Sequence, residues 1–188
     1  MSENVVFQLD AVTVVDLVGG DAAAILNNLT TNDVKSLESG CGCETFITDV
    51  RGKTLAHVHA FRTPDGYRLI GAAGQADAIA AHADRYTIRE DAVPTDRSSD
   101  FAAFAVSPDA PAALRDEVDW TALNVSVYDV DWLGAGTLLL LSGSDAPPHD
   151  VFPRCGVEPA DENAFQRARI KAGFPWYGVD LSEKNLPQ

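Results

Sequence analysis

Thr63-Pro64-Asp65-Gly66 narrows the fold more than any other stretch of this chain. Proline presets the backbone for a central turn position, aspartate can bond its own main chain, and glycine accepts a positive φ. Strand-like runs flank it at residues 53–62 and 67–72, so these two strands pair as an antiparallel hairpin. A further strand is expected at 43–50, turned into the first by Arg51-Gly52. Upstream, 7–18 reads as one or two short strands carrying Val12, Val14, Val15, Leu17 and Val18, broken by Gly19-Gly20. Asp21 stands where an N-cap belongs. Ala22, Ile25, Leu26 and Leu29 then recur at i, i+3, i+4 and i+7, the pattern of an amphipathic helix, with a polar stop at 30–33. An Ala-rich helix at 75–84 and a short strand at 85–94 complete the first half.

The second half follows a similar rhythm. The expectations are a strand at 101–107, a helix from Pro108-Asp109 through 118 and a strand at 123–132. A turn at Gly134 and Gly136 leads into a strand at 137–141. A helix at 161–172 is stopped by Gly173 and Pro175. Ala146-Pro147-Pro148-His149 is the only flexible-looking insertion. The resulting fold class is α+β, with an internal duplication of about 1–97 and 98–188.

Composition excludes several functions. The 188 residues are 46% hydrophobic and 22% charged, enough for a real core in one domain or in two small lobes sharing one. Net charge is −14 and the pI near 4.4, which argues against nucleic acid as the main partner. Between Ser98 and Pro153 only Arg115 is basic, against nine carboxylates. Asp outnumbers Glu 20 to 8 and Arg outnumbers Lys 10 to 4. That bias suits a salt-loaded cytoplasm, or a high-GC genome with ordinary acidity. Glu3 and Asp10 stand where a signal peptide would be basic, and Leu138 to Leu141 is too short an aliphatic run to span a bilayer. The expectation is a soluble cytoplasmic protein with no membrane partner.

Three cysteines make no disulfide scaffold. Cys41-Gly42-Cys43 could offer two thiols to a soft metal or form a strained disulfide, but two ligands are not a site, and the bland reading is small residues entering a strand. No metal is expected. His57 and His59 share one face of a strand, with Leu55 beside them and Val58 and Ala60 opposite. They are either a ligand or metal contact, or a polar stripe on a half-exposed strand. His82 and His149 are expected to be solvent-exposed. Gly134-Ala135-Gly136 is too short for a dinucleotide fingerprint, and no Walker or nucleophile-elbow motif occurs.

Three stretches are more distinctive. The first runs from Gly20-Asp21-Ala22 through Leu29-Thr30-Thr31-Asn32-Asp33-Val34 to Leu37 and Gly40. The second begins at His82 and passes through Tyr86, Arg89-Glu90-Asp91 and Asp96. The third is Arg169-Ile170-Lys171-Ala172-Gly173-Phe174-Pro175-Trp176-Tyr177-Gly178-Val179-Asp180-Leu181, ending in Leu186-Pro187-Gln188. In this order the set resembles the folate-binding domain of the glycine-cleavage T-protein (aminomethyltransferase) superfamily, nearest to its T-protein-like paralogues of iron–sulfur cluster assembly and tRNA modification. The resemblance implies two interlocked βαβ-like halves around a central hole that takes a reduced folate such as tetrahydrofolate, pterin inward. A pterin needs carboxylate or amide acceptors for its ring donors and an aromatic wall for its face.

On this resemblance the cofactor-binding candidates are Asn32, Asp33, His57, Arg169 and Tyr177. Each has a plainer reading. Asn32 and Asp33 cap a helix end and a turn, Tyr177 is a core residue, and Arg169 is an internal salt-bridge partner. Two departures matter. Where true aminomethyltransferases carry a Gly-x-x-Asp-Asp-x-x-Val strand, the alignment places Ala56 and His57, so no catalytic residue is assigned. The family's further C-terminal barrel also has no counterpart, so the chain is either a short member or a fragment. The implied function is reduced-folate binding by an accessory protein of one-carbon or iron–sulfur metabolism, with a possible protein partner. The alternatives are an aminomethyltransferase and a folate-free interaction domain on the same fold.

Overall fold

A computed structural model describes residues 4–187; Glu3 and Gln188 of the sequence reading lie outside the described residues. The chain divides into two units, Met1–Ala11 with Ser99–Pro175, and Val12–Ser98 with Trp176–Gln188. The class is α+β, each unit carrying a five-stranded sheet among the described residues.

The first unit contains β1 (Val5–Leu9), β7 (Phe101–Val106), α3 (Ala112–Asp116), β8 (Val125–Val130), β9 (Thr137–Gly143), α4 (Val151–Arg154), β10 (Glu158–Ala160) and α5 (Glu162–Ala172). Its sheet order is β10-β1-β7-β9-β8. One face carries a core of Val6, Phe104, Val106, Leu114, Trp120, Leu138, Leu140 and Phe152. The helix expected from Pro108 is shorter than the sequence suggested. Pro111 lacks an N–H and restrains Ala110, so 107–110 makes a turn and α3 starts after the proline. Asp161 caps α5 through Ala164 N at 2.7 Å, and Gly173 ends it at φ 81°.

The second unit contains β2 (Val12–Val18), α1 (Ala22–Leu29), β3 (Gly42–Thr48), β4 (Thr54–Thr63), β5 (Gly66–Ala72), α2 (Ala76–Asp84) and β6 (Val93–Asp96). The sheet order is β3-β4-β5-β2-β6. The hairpin at 63–66 joins β4 to β5 as expected, in register Thr63↔Gly66. Ala22, Ile25, Leu26 and Leu29 are the buried residues of α1 and pack with Ala56, Val58 and Ala60 of β4, Tyr67 and Leu69 of β5, and Ile79 of α2. Asp21 does not cap α1 with its side chain; its Oδ2 accepts from Asp91 N at 2.8 Å. Asp91 in turn takes Gly20 N at 2.9 Å. Residues 85–92 form a turn, bends and irregular chain anchored at Asp91 by this exchange, and β6 begins at Val93 rather than at Arg85.

His82 corrects another expectation: it is 5% exposed. It shares the inward face of α2 with Ala76, Ile79 and Ala83, and its Nε2 bonds the Thr48 carbonyl at 3.0 Å. Burial lowers its pKa, with the Thr48 carbonyl partly opposing. His149 is exposed. No helix among the described residues is long and apolar enough to cross a membrane.

Candidate functional site

The side chains with most chemistry lie on the second face of the β3–β4–β5–β2 sheet, opposite the face on which α1 packs. Alternation sends Ala56, Val58 and Ala60 to the core and leaves His57 and His59 on the other side. A half-exposed stripe was one reading of that pair, yet the histidines are 3% and 5% exposed. Beside them Arg68 of β5 forms a two-pronged pair with Asp16 of β2, at 2.7 and 2.8 Å.

Register decides what His57 meets. Antiparallel pairing sets Phe46 opposite His57 and Glu44 opposite His59. The Phe46 and His57 rings stack, 4.5 Å between centroids and 13° between planes. Glu44 reaches diagonally, its Oε1 2.6 Å from His57 Nε2. The His57 side chain is 2% exposed and that of Glu44 36%, so the ring is enclosed and the carboxylate accessible.

The backbone at His57 is fixed from the other direction. Pairing of β4 with β5 begins only at Val58↔Gly71. The side chain of Gln75, itself 1% exposed, fills the missing strand position. Its Oε1 accepts His57 N at 2.7 Å and its Nε2 donates to the Ala72 carbonyl at 2.8 Å. Gly71 makes room for it: a Cβ there would lie 2.8 Å from Gln75 Nε2 and 2.6 Å from the His57 carbonyl oxygen.

The segment after α1 covers the outer edge of β3. Thr31 N donates to the Phe46 carbonyl at 3.0 Å and Phe46 N to Thr31 Oγ1 at 3.2 Å. Asn32 N bonds Thr45 Oγ1 at 3.3 Å, and Asn32 Nδ2 the Glu44 carbonyl at 2.5 Å. Asn32 is thus brought to the same strand residue that His57 holds. Among the described residues, Asn32 Oδ1 and Glu44 Oε2 carry no hydrogen bond. Asp33 is exposed, its carboxylate accepting Ser36 N at 3.2 Å in a turn. Tyr67 of β5 also reaches this segment, its hydroxyl donating to the Val34 carbonyl at 3.0 Å.

Tyr177, half-buried, sits in a tight loop where Trp176 N bonds Asp180 Oδ2 at 2.8 Å and Gly178 N the Leu181 carbonyl at 2.7 Å. Burial, and then Glu183, raise its phenol pKa. This C-terminal segment is tied to β4 by Thr54 N donating to the Asn185 carbonyl at 3.1 Å. Arg169 belongs to the other unit. It is 2% exposed, with Nε on Gln166 Oε1 at 2.5 Å and a terminal nitrogen on the Phe174 carbonyl at 3.2 Å.

Glu44, Phe46 and Gln75 cluster with His57, and the sequence alone did not single them out. Counting the hairpin back through Arg51-Gly52 would have pointed to Glu44, but the register shifts between Ile47 and Thr48. The three cysteines are free; Cys41 is exposed, and burial raises the pKa of the half-buried Cys43. Among the described residues no three His, Cys, Asp or Glu side chains are grouped to hold a metal ion.

No protein-family model matches the chain. It is 33% identical over 206 residues to a probable aminomethyltransferase of Natronomonas pharaonis, covering 97% of this chain and 56% of that protein. It is 27% identical over 208 residues to a probable aminomethyltransferase of Haloarcula marismortui, covering 100% of this chain and 57% of that protein. The fold matches the glycine cleavage system aminomethyltransferase T of Bartonella henselae, with a TM-score of 0.85 at 17% identity over 99% of this chain and 55% of that one. The chain spans a little over half the length of the relatives it matches. An α+β protein of this fold and sequence belongs to the T-protein-like superfamily.

Proposed function

We propose that this chain binds a reduced folate of the tetrahydrofolate type, acting as a T-protein-like accessory protein in one-carbon or iron–sulfur metabolism. The observation that carries the reading is the likeness to probable aminomethyltransferases over nearly the whole chain. The side chains of the second unit suit such a ligand. Asn32 Oδ1 and the Glu44 carboxylate are acceptors for ring N–H groups, and Phe46 and Tyr177 are aromatic surfaces for a planar ring. The folate supplies a nitrogen that takes up a one-carbon unit; the protein's part is to bind and orient it. Asp33 and Arg169 remain candidates within their own units. The acidic composition, with relatives in halophilic archaea, supports work at high salt.

Folinic acid, a stable reduced folate, tests the reading. At about 100 times its dissociation constant it should stabilise the fold by ~2.7 kcal/mol and raise the melting temperature. No shift with any reduced folate at millimolar concentration would refute it.

A second reading, aminomethyl transfer, is favoured by the names of the relatives and by Glu44, a carboxylate beside the strand where Ala56 and His57 supply none. The folate-binding reading without transfer expects no ammonia release when the chain meets tetrahydrofolate and an aminomethyl-loaded lipoyl carrier. Sustained release would establish transfer instead.

A further inference from the structure

Strand β4 has no carboxylate between Thr54 and Thr63, yet the polar face it shares with β3 has one, supplied across the strands by Glu44. Glu44 is held at two levels. Its main-chain carbonyl accepts from Asn32 Nδ2 at 2.5 Å, and its Oε1 pairs with His57 Nε2 at 2.6 Å. His57 is itself fixed, by the Phe46 ring stacked 4.5 Å away and by Gln75 Oε1 on its backbone N–H at 2.7 Å. A carboxylate on a mobile side chain loses rotamer freedom when it meets a ligand; one already held loses less.

The exposure is unequal. The His57 side chain is 2% exposed and that of Glu44 36%, so the imidazole supports the carboxylate from within while the carboxylate meets solvent. A carboxylate has about four lone-pair sites. The bond at Oε1 therefore leaves capacity on both oxygens for two parallel N–H donors. The ligand edge that matches has two adjacent donors and no acceptor between them, such as the N3–H and 2-amino group of a 2-amino-4-oxopyrimidine.

We propose that Glu44 is the ligand-binding carboxylate of this unit, accepting that paired N–H edge, with His57 as its positioning residue. The proposal rests on the folate reading above. It assigns the recognition of the ring edge to β3 rather than to β4, the strand that carries the carboxylate pair in the family this chain resembles. Glu44 discriminates against a ring that presents an oxygen at the same place, because a carbonyl facing a carboxylate leaves both acceptors unpaired.

The test is a titration of the full chain with folinic acid and with its analogue carrying a 2-oxo group in place of the 2-amino group. The wild-type chain should prefer folinic acid by about tenfold or more. Glu44→Gln keeps an acceptor for His57, so the fold persists, but it should weaken folinic acid by about tenfold and bring the two ligands within about threefold of each other. His57→Gln loosens the carboxylate, so it should weaken folinic acid by less than Glu44→Gln does and leave a reduced preference over the 2-oxo analogue, since the carboxylate is still present. A wild-type chain that binds folinic acid while Glu44→Gln changes neither affinity nor preference overturns this proposal alone. A wild-type chain that binds neither ligand overturns the folate reading as well.

Discussion

Tyr67→Phe removes one oxygen atom from a residue that is 1% exposed and leaves the ring in place. The lost atom donates to the Val34 carbonyl at 3.0 Å, across 33 positions of sequence. Val34 is fully buried, and its carbonyl retains only a longer contact from Leu37 N at 3.3 Å. Losing a buried hydroxyl bond, with an acceptor left partly unsatisfied, costs about 1–2 kcal/mol. The ring's other contacts, among them the Arg62 guanidinium 4.7 Å from its centroid, persist, so the change isolates the hydrogen bond. For a chain of this size that corresponds to a fall in melting temperature of about 2–8 °C. Urea unfolding of wild type and variant in the same KCl concentration should show a lower midpoint at an unchanged slope. Because Val34 directly follows Asn32 and Asp33, hydrogen exchange at 31–37 should also quicken. A variant as stable as wild type, with unchanged exchange there, would show that Tyr67 does not anchor the segment after α1.

Stability should fall with His82 as the pH drops. Burial holds this imidazole below its usual pKa of 6.5, so the unfolded chain takes up the proton first; stability is full above about pH 6.5 and declines below it toward the lower folded-state pKa. His82→Phe should flatten the stability profile between about pH 7.5 and 5.5, and parallel profiles for the two proteins would contradict this. Salt should act in the opposite sense. With a net charge of −14 the chain repels itself, and the Debye length shrinks from about 10 Å at 0.1 M to about 3 Å at 1 M. The melting temperature should therefore rise between about 0.1 and 2 M KCl, beyond any rise in a sucrose control; a flat or falling midpoint would mean the carboxylates are locally paired.

What the sequence revealed was governed by distance along the chain. Helix α1 was legible because Ala22, Ile25, Leu26 and Leu29 carry its period locally, and the β4–β5 hairpin because its turn residues are adjacent. Strand β10 was not: three residues containing Pro159 have no period, and they become a strand only by pairing with β1, Val5↔Glu158 to Phe7↔Ala160. The length of the 108–118 helix failed on Pro111, a local signal that was present and unused. His82 looked solvent-exposed because a histidine in an Ala-rich helix has no sequence mark of the Thr48 carbonyl it meets. The candidate site was half legible. Asn32 and His57 were singled out and do converge, but the group that joins them, Glu44, is set by cross-strand register and by an irregularity between Ile47 and Thr48. Gln75 was hidden for the same reason, since its part depends on where the β4–β5 pairing begins.

The central claim, that the chain binds a reduced folate, meets its most direct test in titration calorimetry of the full chain with tetrahydrofolate under anaerobic, high-salt conditions. The account predicts saturable binding to one site per chain, with micromolar or tighter affinity. Heats that never saturate, with no more uptake of tetrahydrofolate at millimolar concentration than in protein-free buffer, would contradict it.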